Sequence, residues 1–471
     1  MIGRKSELDT LWRARDAHES QFIAVYGRRR IGKTYLVRKA FDGEFAFYHT
    51  GVANVGKKDQ IGRFVKSLEK FGMKIKPKPK DWFAAFDLLA EGLERQTEGR
   101  KVVFIDELPW MDTAKSNFVS ALENFWNGWA SARDDIVLVV CGSASSWILD
   151  KIINNHGGLH NRLTDQIHLK PFTLMECRDL AAERGLVLPL RQLVEAYMIF
   201  GGVPYYWTLL RREIGLAQNV DRLCFADGGA LVSEFEQLYA ALFRKPAGHI
   251  AVVTALGRKK VGMTREELIS STGMEDSGAL TKVLKELSAC GFVRKYRIPG
   301  CKTKGAIYQL MDNFTLFYFR FMMDREECPA DFWSSSYMKQ PIRVWCGLAF
   351  ERVCLENVDL IKKALGISGV HTSVYAWSYR PDNAGDDGAQ IDLVIDRDDG
   401  VINLCEIKYL SNEYEIDNAE ALSLERKREV YASETGTGKA IHLTVISLAG
   451  LKQTVHSSCV QSSVTTSDLL S

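Results

Sequence analysis

The stretch FIAVYGRRRIGKTYLVRKAF, residues 22–41, restricts the possible folds more than any other part of this chain. An apolar run of strand length ends at Gly27. Four residues later come Gly32, Lys33 and Thr34, and a segment of helical spacing follows. Glycines let a backbone close around an anion and turn its N–H groups inward. A helix N-terminus just behind adds partial positive charge. The loop Gly27, Arg28, Arg29, Arg30, Ile31, Gly32, Lys33 and Thr34, with Tyr35 after it, is therefore expected to cradle nucleotide phosphates. Lys33 should reach the β- and γ-phosphates, and the Thr34 hydroxyl should ligate Mg²⁺. The alternative is a glycine turn that binds nothing.

Two further runs support the nucleotide reading. KVVFIDE (101–107) and DIVLVVCGS (135–143) are β-rich and of strand length. With helical stretches between them, as at 81–96, they predict a parallel α/β sheet buried on both faces. Asp106, at a strand tip beside the loop, can hold Mg²⁺ through water. Glu107 can polarise the attacking water as general base. Ser143 or Ser145 is placed to sense the γ-phosphate. Arg162 is either an arginine finger toward a neighbouring subunit or a structural arginine. His156 and His160 are four apart, but the glycines between them argue against a metal site. KIKPKPK (74–80) reads as a surface connection.

The chain has 471 residues, 46% hydrophobic and 25% charged, with a formal net charge of +2. That length suggests about three domains. The balanced charge means that any nucleic-acid contact must come from local patches. No apolar run is long enough to span a bilayer, and the charged N-terminus is not a secretory signal. Ten scattered cysteines without a C-x-x-C pair read as reduced core thiols in a cytoplasmic protein.

The motifs IGRKSEL (2–8), GRRRIGKT, FIDELPW, CGSASSW and GGVPYYW (201–207) resemble the AAA+-like ATPases of the STAND group. The resemblance is to the archaeal and bacterial family often joined to a C-terminal domain of the DUF234 type. It spans roughly residues 1–235. It implies that Ile2, Gly3 and Arg4 border the adenine pocket. It also implies that the break at Gly201, Gly202 and Pro204 forms part of a lid facing the nucleotide.

Residues 264–312 read as helix, turn, helix and β-hairpin. Thr264 and Glu267 make a capping box, and Gly273 ends that helix. Leu280, Val283, Leu284 and Leu287 give the next helix one apolar face. This pattern resembles a winged helix. Lys282, Lys285, Arg294, Lys295, Arg297, Lys302 and Lys304 either meet DNA phosphates or form the solvated face of a spacer. The aromatic run 312–322 is expected to pack as a helix, and 328–337 reads as a linker.

In the tail, QIDLVIDRDDGVINLCEIKY (390–409) reads as two strands joined by a tight turn. Asp392 lies on the first. Glu406 and Lys408, two apart on the second, share one face. Two carboxylates can bind a divalent ion, and the lysine can stabilise developing charge. Glu351, in the apolar helix before, adds a third acid. Asp, thirteen residues, then Glu-x-Lys resembles the PD-(D/E)XK nuclease superfamily over residues 340–471. ETGTGKA (434–440) lacks the first loop glycine and reads as a plain loop.

The expected organisation is an ATPase core at 1–170, a helical lid at 171–240, a winged helix with connecting helix at 245–325, and a nuclease-like α/β domain at 340–471. The expected cofactors are ATP with Mg²⁺, and Mg²⁺ or Mn²⁺ at the tail. DNA and further copies of the chain are the expected partners, with no membrane. Two functions stay open. One is an ATP-driven enzyme that cleaves DNA. The other is a nucleotide-dependent switch whose inactive tail binds nucleic acid or a protein.

Overall fold

The computed structural model describes all residues except 98, 155, 156, 160, 244, 297–305, 324–327, 338, 380–387 and 471. His156, His160, Arg297, Lys302 and Lys304 therefore lie outside the described residues. The chain divides into two units. The first comprises 1–171, 236–246 and 281–291; the second comprises 172–235, 247–280 and 292–471.

The first unit is built on strands β1 (Gln21–Tyr26), β2 (Phe47–Thr50), β3 (Lys101–Asp106), β4 (Ile136–Gly142) and β5 (Asp165–His168). All neighbouring pairs are parallel, in the order β2-β3-β4-β1-β5. Alternate side chains of β1 feed two separate cores. Ile23 and Val25 join Phe104, Val139 and the helices Lys5–Asp16 and Lys33–Ala40. Phe22 and Ala24 face the opposite layer, where Phe64, Trp82 and Phe118 interlock. Phe64 and Trp82 meet edge-on at 5.4 Å, and Trp82 and Phe118 at 4.9 Å. Covering both faces explains why β1, β3 and β4 are almost wholly apolar. The helix Trp82–Glu94 starts where Asp81 accepts a hydrogen bond from the Ala84 amide. Residues 74–80 form no regular element, as their prolines predicted.

The second unit begins with helices, among them Leu174–Glu183 and Leu190–Phe200. A small antiparallel sheet follows, made of β6 (Met263–Thr264), β7 (Val293–Tyr296) and β8 (Ile307–Leu310), with β8 central. The helix Arg265–Thr272 has the expected Thr264–Glu267 capping box and ends at Gly273 with φ 67°. The last sheet holds β9 (Thr372–Tyr379), β10 (Ala389–Arg397), β11 (Val401–Lys408), β12 (Ala440–Ser447) and β13 (Ser462–Thr465), in the order β13-β12-β11-β10-β9. β9, β10 and β11 are antiparallel; β12 and β13 continue in parallel. The helix Gln340–Glu356 precedes this sheet, and Asn418–Thr435 lies between β11 and β12.

The reading of 328–337 as a linker is corrected. Phe332–Ser336 is a helical turn whose Trp333 is 2% exposed. Asp221 accepts the Trp333 and Ser334 amides, and the Trp333 ring meets Phe317, Phe321 and Trp345 edge-on. The aromatic residues of 312–322 supply that cluster, so one tryptophan turned a polar-looking stretch into core.

His49 gives the first unit a measurable pH dependence. It is 3% exposed, beside Phe64 and 2.9 Å from the Ser67 hydroxyl. Burial lowers its pKa from 6.5 to about 4. The folded chain thus refuses a proton that the unfolded chain accepts. Above pH 6.5 this costs nothing; as pH falls from 6.5 through 4, stability drops by up to about 3 kcal/mol. Urea unfolding from pH 4 to 8 should show a flatter profile for His49→Gln than for the parent. Identical slopes would contradict a buried neutral His49.

Candidate functional site

The first candidate site lies where the strands of the first unit end. Gly27 has φ 144°, and a Cβ there would stand 2.2 Å from the Leu169 carbonyl oxygen. No side chain fits, so the loop can close only with glycine. Gly32, at φ 90°, opens the helix Lys33–Ala40 without any side-chain cap. Its first N–H groups remain available to an anion. Ile31 is buried in the core beneath the loop and anchors it.

Lys33 is 6% exposed. Its Nζ donates to the carbonyls of Gly27 (3.0 Å) and Arg28 (2.8 Å) and to the Ser143 hydroxyl (3.1 Å). Ser143 in turn donates to Glu107 Oε1 at 2.7 Å. Thr34 donates to Asp106 Oδ2 at 2.7 Å, while the other oxygen of Asp106 accepts the Glu107 amide. β4 runs between β1 and β3, so its tip residue Ser143 connects the lysine of one strand end with the acid of the other. Glu107 itself has φ 50°, a left-handed turn that lifts it off the strand.

The remaining expected residues fall as follows. Arg28 is buried, Arg29 exposed and Arg30 intermediate, with φ 70°. Tyr35 is 62% exposed. Ser145 is fully buried. Ile2 is half-buried, and Gly3 and Arg4 have φ 57° and 60°. Arg4 donates to the Lys170 carbonyl at 2.6 Å, next to the Leu169 that backs Gly27. Arg162 is exposed. Gly201, Gly202 and Pro204 belong to the second unit. There a Cβ on Gly202 would stand 1.8 Å from the Phe172 carbonyl oxygen. Pro204 opens the helix Pro204–Thr208.

The second candidate site is on the last sheet. Pairing of β10 with β9 slips between Ile391 and Val394, so Asp392 stands in a bulge. Such bulges re-aim side chains. On the other side Leu393 pairs with Cys405, which sets Asp392 opposite Glu406. Asp392 Oδ2 accepts the Ile407 amide at 3.3 Å. Glu406 takes Lys427 at 2.6 Å on one oxygen and Lys408 at 3.1 Å on the other. Lys260 pairs with Glu351 and reaches Asp392 at 3.5 Å.

The three acids respond differently to burial. Burial, then the charge of Asp392, pushes Glu351 up to about 7. Asp392 is raised by burial and by Glu406. Burial would raise Glu406 too, but Lys427 and Lys408 outweigh it and hold its pKa down. Carboxylates this close need cations, and the fold supplies lysines. The charge suits a divalent ion on Asp392 and Glu406. Among the described residues, however, no three His, Cys, Asp or Glu side chains converge as a ligand set. Glu351 joins Asp392 through Lys260. Lys260 and Lys427 were missed in the sequence because neither stands at a motif spacing from Asp392 or Glu406.

The basic residues expected to face DNA are partly engaged. Lys285 pairs with Asp150 at 2.5 Å. Arg294 donates to Gln309 at 2.6 Å and packs over Tyr296. Lys282 and Lys295 are exposed. Among the described residues nine cysteines form no disulfide, and seven of them are buried. Among the described residues no helix is long and apolar enough to cross a membrane.

Residues 1–210 match a sequence family described as an ATPase domain predominantly from Archaea. An uncharacterized protein of Methanocaldococcus jannaschii is 25% identical over 416 residues, covering 83% of each chain. An uncharacterized ATP-binding protein of the same organism is 40% identical over 43 residues, 9% of this chain and 73% of that one. A Walker-type ATPase of Pyrococcus abyssi superposes with TM-score 0.47 at 16% identity, covering 68% of this chain and 96% of that one. The family match covers the loop, the Asp106–Glu107 strand and Ser143, so the residues of the first candidate site all lie inside the segment similar to archaeal ATPase domains.

Proposed function

We propose that this chain couples ATP binding and hydrolysis in its N-terminal domain to the action of its C-terminal sheet on nucleic acid. In this reading the first unit is an AAA+-like, STAND-type ATPase. The β6–β8–β7 module is a winged helix, and the last sheet is a PD-(D/E)XK nuclease fold that cuts DNA with Mg²⁺ or Mn²⁺.

The observation that carries the ATPase part is the chain Lys33–Ser143–Glu107. ATP with Mg²⁺ supplies a transferable phosphoryl group and the metal charge that steadies it. Thr34 and Asp106, already joined, are the residues that would hold the metal. Lys33, held inside the loop by carbonyls, presents its ammonium where phosphate oxygens collect. Glu107 accepts the proton of the attacking water, and Ser143 fixes its orientation. Lys33→Ala should abolish ATP binding. Glu107→Gln should keep binding but lose turnover by about 10²-fold or more. Equal hydrolysis by parent and both variants, followed as phosphate release, would refute the assignment.

The observation that carries the tail part is Asp392 opposite Glu406 on antiparallel strands, with Lys408 on the same face. The helix before, three antiparallel strands, a helix and a parallel strand support that reading. A divalent ion there would lower the pKa of water and draw charge from the phosphodiester. Asp392 and Glu406 would hold it. Lys408 stands ready to stabilise the charge developing on phosphate. Linear and supercoiled DNA should be cut by the parent in Mg²⁺ or Mn²⁺ and left intact by Glu406→Ala.

One observation favours the second reading, a switch with a non-cutting tail. Lys260, Lys408 and Lys427 already balance the three carboxylates. In that case DNA or RNA binds without being cut, with or without ATP, in every metal tested.

A further inference from the structure

Beside the acidic site, the second unit holds a cavity of about 480 Å³, within the size range of small-ligand sites. Its chemistry is unlike the carboxylate cluster. Arg258, Arg320 and Arg352 line it, and none of them has an ion-pair partner among the described residues. Arg352 stands out. Its Nε and Nη2 atoms are buried and have no hydrogen-bond partner. The charges of Glu356 and Glu351 act on this guanidinium but leave those two N–H groups unmet, and native structures leave few buried polar groups unsatisfied. An anion arriving in the cavity would satisfy it.

The other wall is apolar. Trp345 and Phe319 lie along it, with Met323 and Val344, both exposed residues, at its edge. Exposed large hydrophobics next to unpaired arginines suit a ligand with a flat apolar part and a phosphate. Arginine forks bind phosphate oxygens, and bases stack on aromatic faces. The cavity also shares Lys260, Leu348 and Arg352 with the smaller pocket lined by Glu351 and Asp392.

We infer that this cavity binds one nucleotide unit of a single nucleic-acid strand. Its phosphate lies on Arg352, with Arg320 and Arg258 at the mouth, and its base lies on the apolar wall. The choice of a strand rests on the proposed nucleic-acid role of the adjoining carboxylates. The nucleotide chemistry rests on the cavity alone.

The test is fluorescence polarisation of a 5′-fluorescein-labelled ten-residue oligothymidylate with the full chain in EDTA, which separates binding from cutting. Arg258 and Arg320 are exposed, so their double alanine variant should fold as the parent does. It should bind about 10-fold more weakly, with a salt dependence shallower by about one to two phosphate contacts. Arg352→Met should weaken binding similarly, and the exposed pair keeps the test valid if that variant fails to fold. Equal binding by the parent and the double variant would overturn the inference, as would no binding by the parent.

Thymidine 5′-monophosphate, titrated calorimetrically into Lys33→Ala to silence the first site, separates the two sources. Binding that is lost on adding Arg320→Ala identifies a site for free nucleotide; binding of the oligonucleotide alone identifies a strand site. Binding that depends on the arginines, with no cutting in any metal, sinks the nuclease reading and leaves this one standing. Metal-dependent cutting, with binding indifferent to the arginines, does the reverse.

Discussion

Burial of β1, β3 and β4 on both faces is the constraint on which the N-terminal domain depends. A parallel strand covered by helices on each side can carry hardly any polar side chain along its length. Chemistry is therefore pushed to the C-terminal ends. β1 ends in the loop Gly27–Thr34, β3 in Asp106–Glu107 and β4 at Ser143. Inserting β4 between the other two is what makes the arrangement work. Were β3 paired directly with β1, Ser143 could not bridge Lys33 and Glu107. Sheet order, set by core packing, thus decides which side chains meet.

The tail obeys the opposite rule. Its antiparallel strands leave one side chain in two for polar work. Asp392 and Glu406 use that freedom: the β10–β11 register sets them opposite each other, and Asp392 stands where the pairing with β9 slips. What then limits the site is charge. Burial and a neighbouring acid raise Glu351 and Asp392, lysines hold Glu406 down, and those cations come from three distant segments: the turn before β6, the end of β11 and the helix Asn418–Thr435. Lys260 is the least tied to the sheet it serves. Its carbonyl accepts Gln309 at 2.7 Å, and the next carbonyl accepts Tyr296 at 2.7 Å. Its position is therefore fixed by β7 and β8, and any metal on Asp392 must share that carboxylate with an ammonium delivered by the small module.

The legible features were those written in local order. Glycines with fixed spacing gave the loop, continuous apolar runs gave β1, β3 and β4, and a Thr-x-x-Glu pair gave a helix start. Asp392, Glu406 and Lys408 were visible because a three-residue turn, Asp398 to Gly400, brings neighbouring strands together. Lys260 lies 132 residues from Asp392 in sequence. No spacing announces such a contact; only tertiary folding creates it. Trp333 was missed for a related reason: serines and a proline around it signal a loop, while its burial depends on Phe317, Phe321 and Trp345. Arg352 escaped notice because a lone arginine in a helix normally reaches solvent.

Glu351 and Arg352 are consecutive residues of the helix Gln340–Glu356. Successive helical side chains point about 100° apart. One helix therefore aims a carboxylate at the strand acids and a guanidinium into the neighbouring cavity. The two cannot be moved independently, because a rigid helix fixes the spacing between them. Under the proposed nucleic-acid role, a strand would place one phosphate on the guanidinium and its neighbour beside the carboxylates. A small ligand would need only one of them. This adjacency of opposite charges on a single turn is the strongest reason to read the acidic cluster and the arginine cavity as parts of one extended surface.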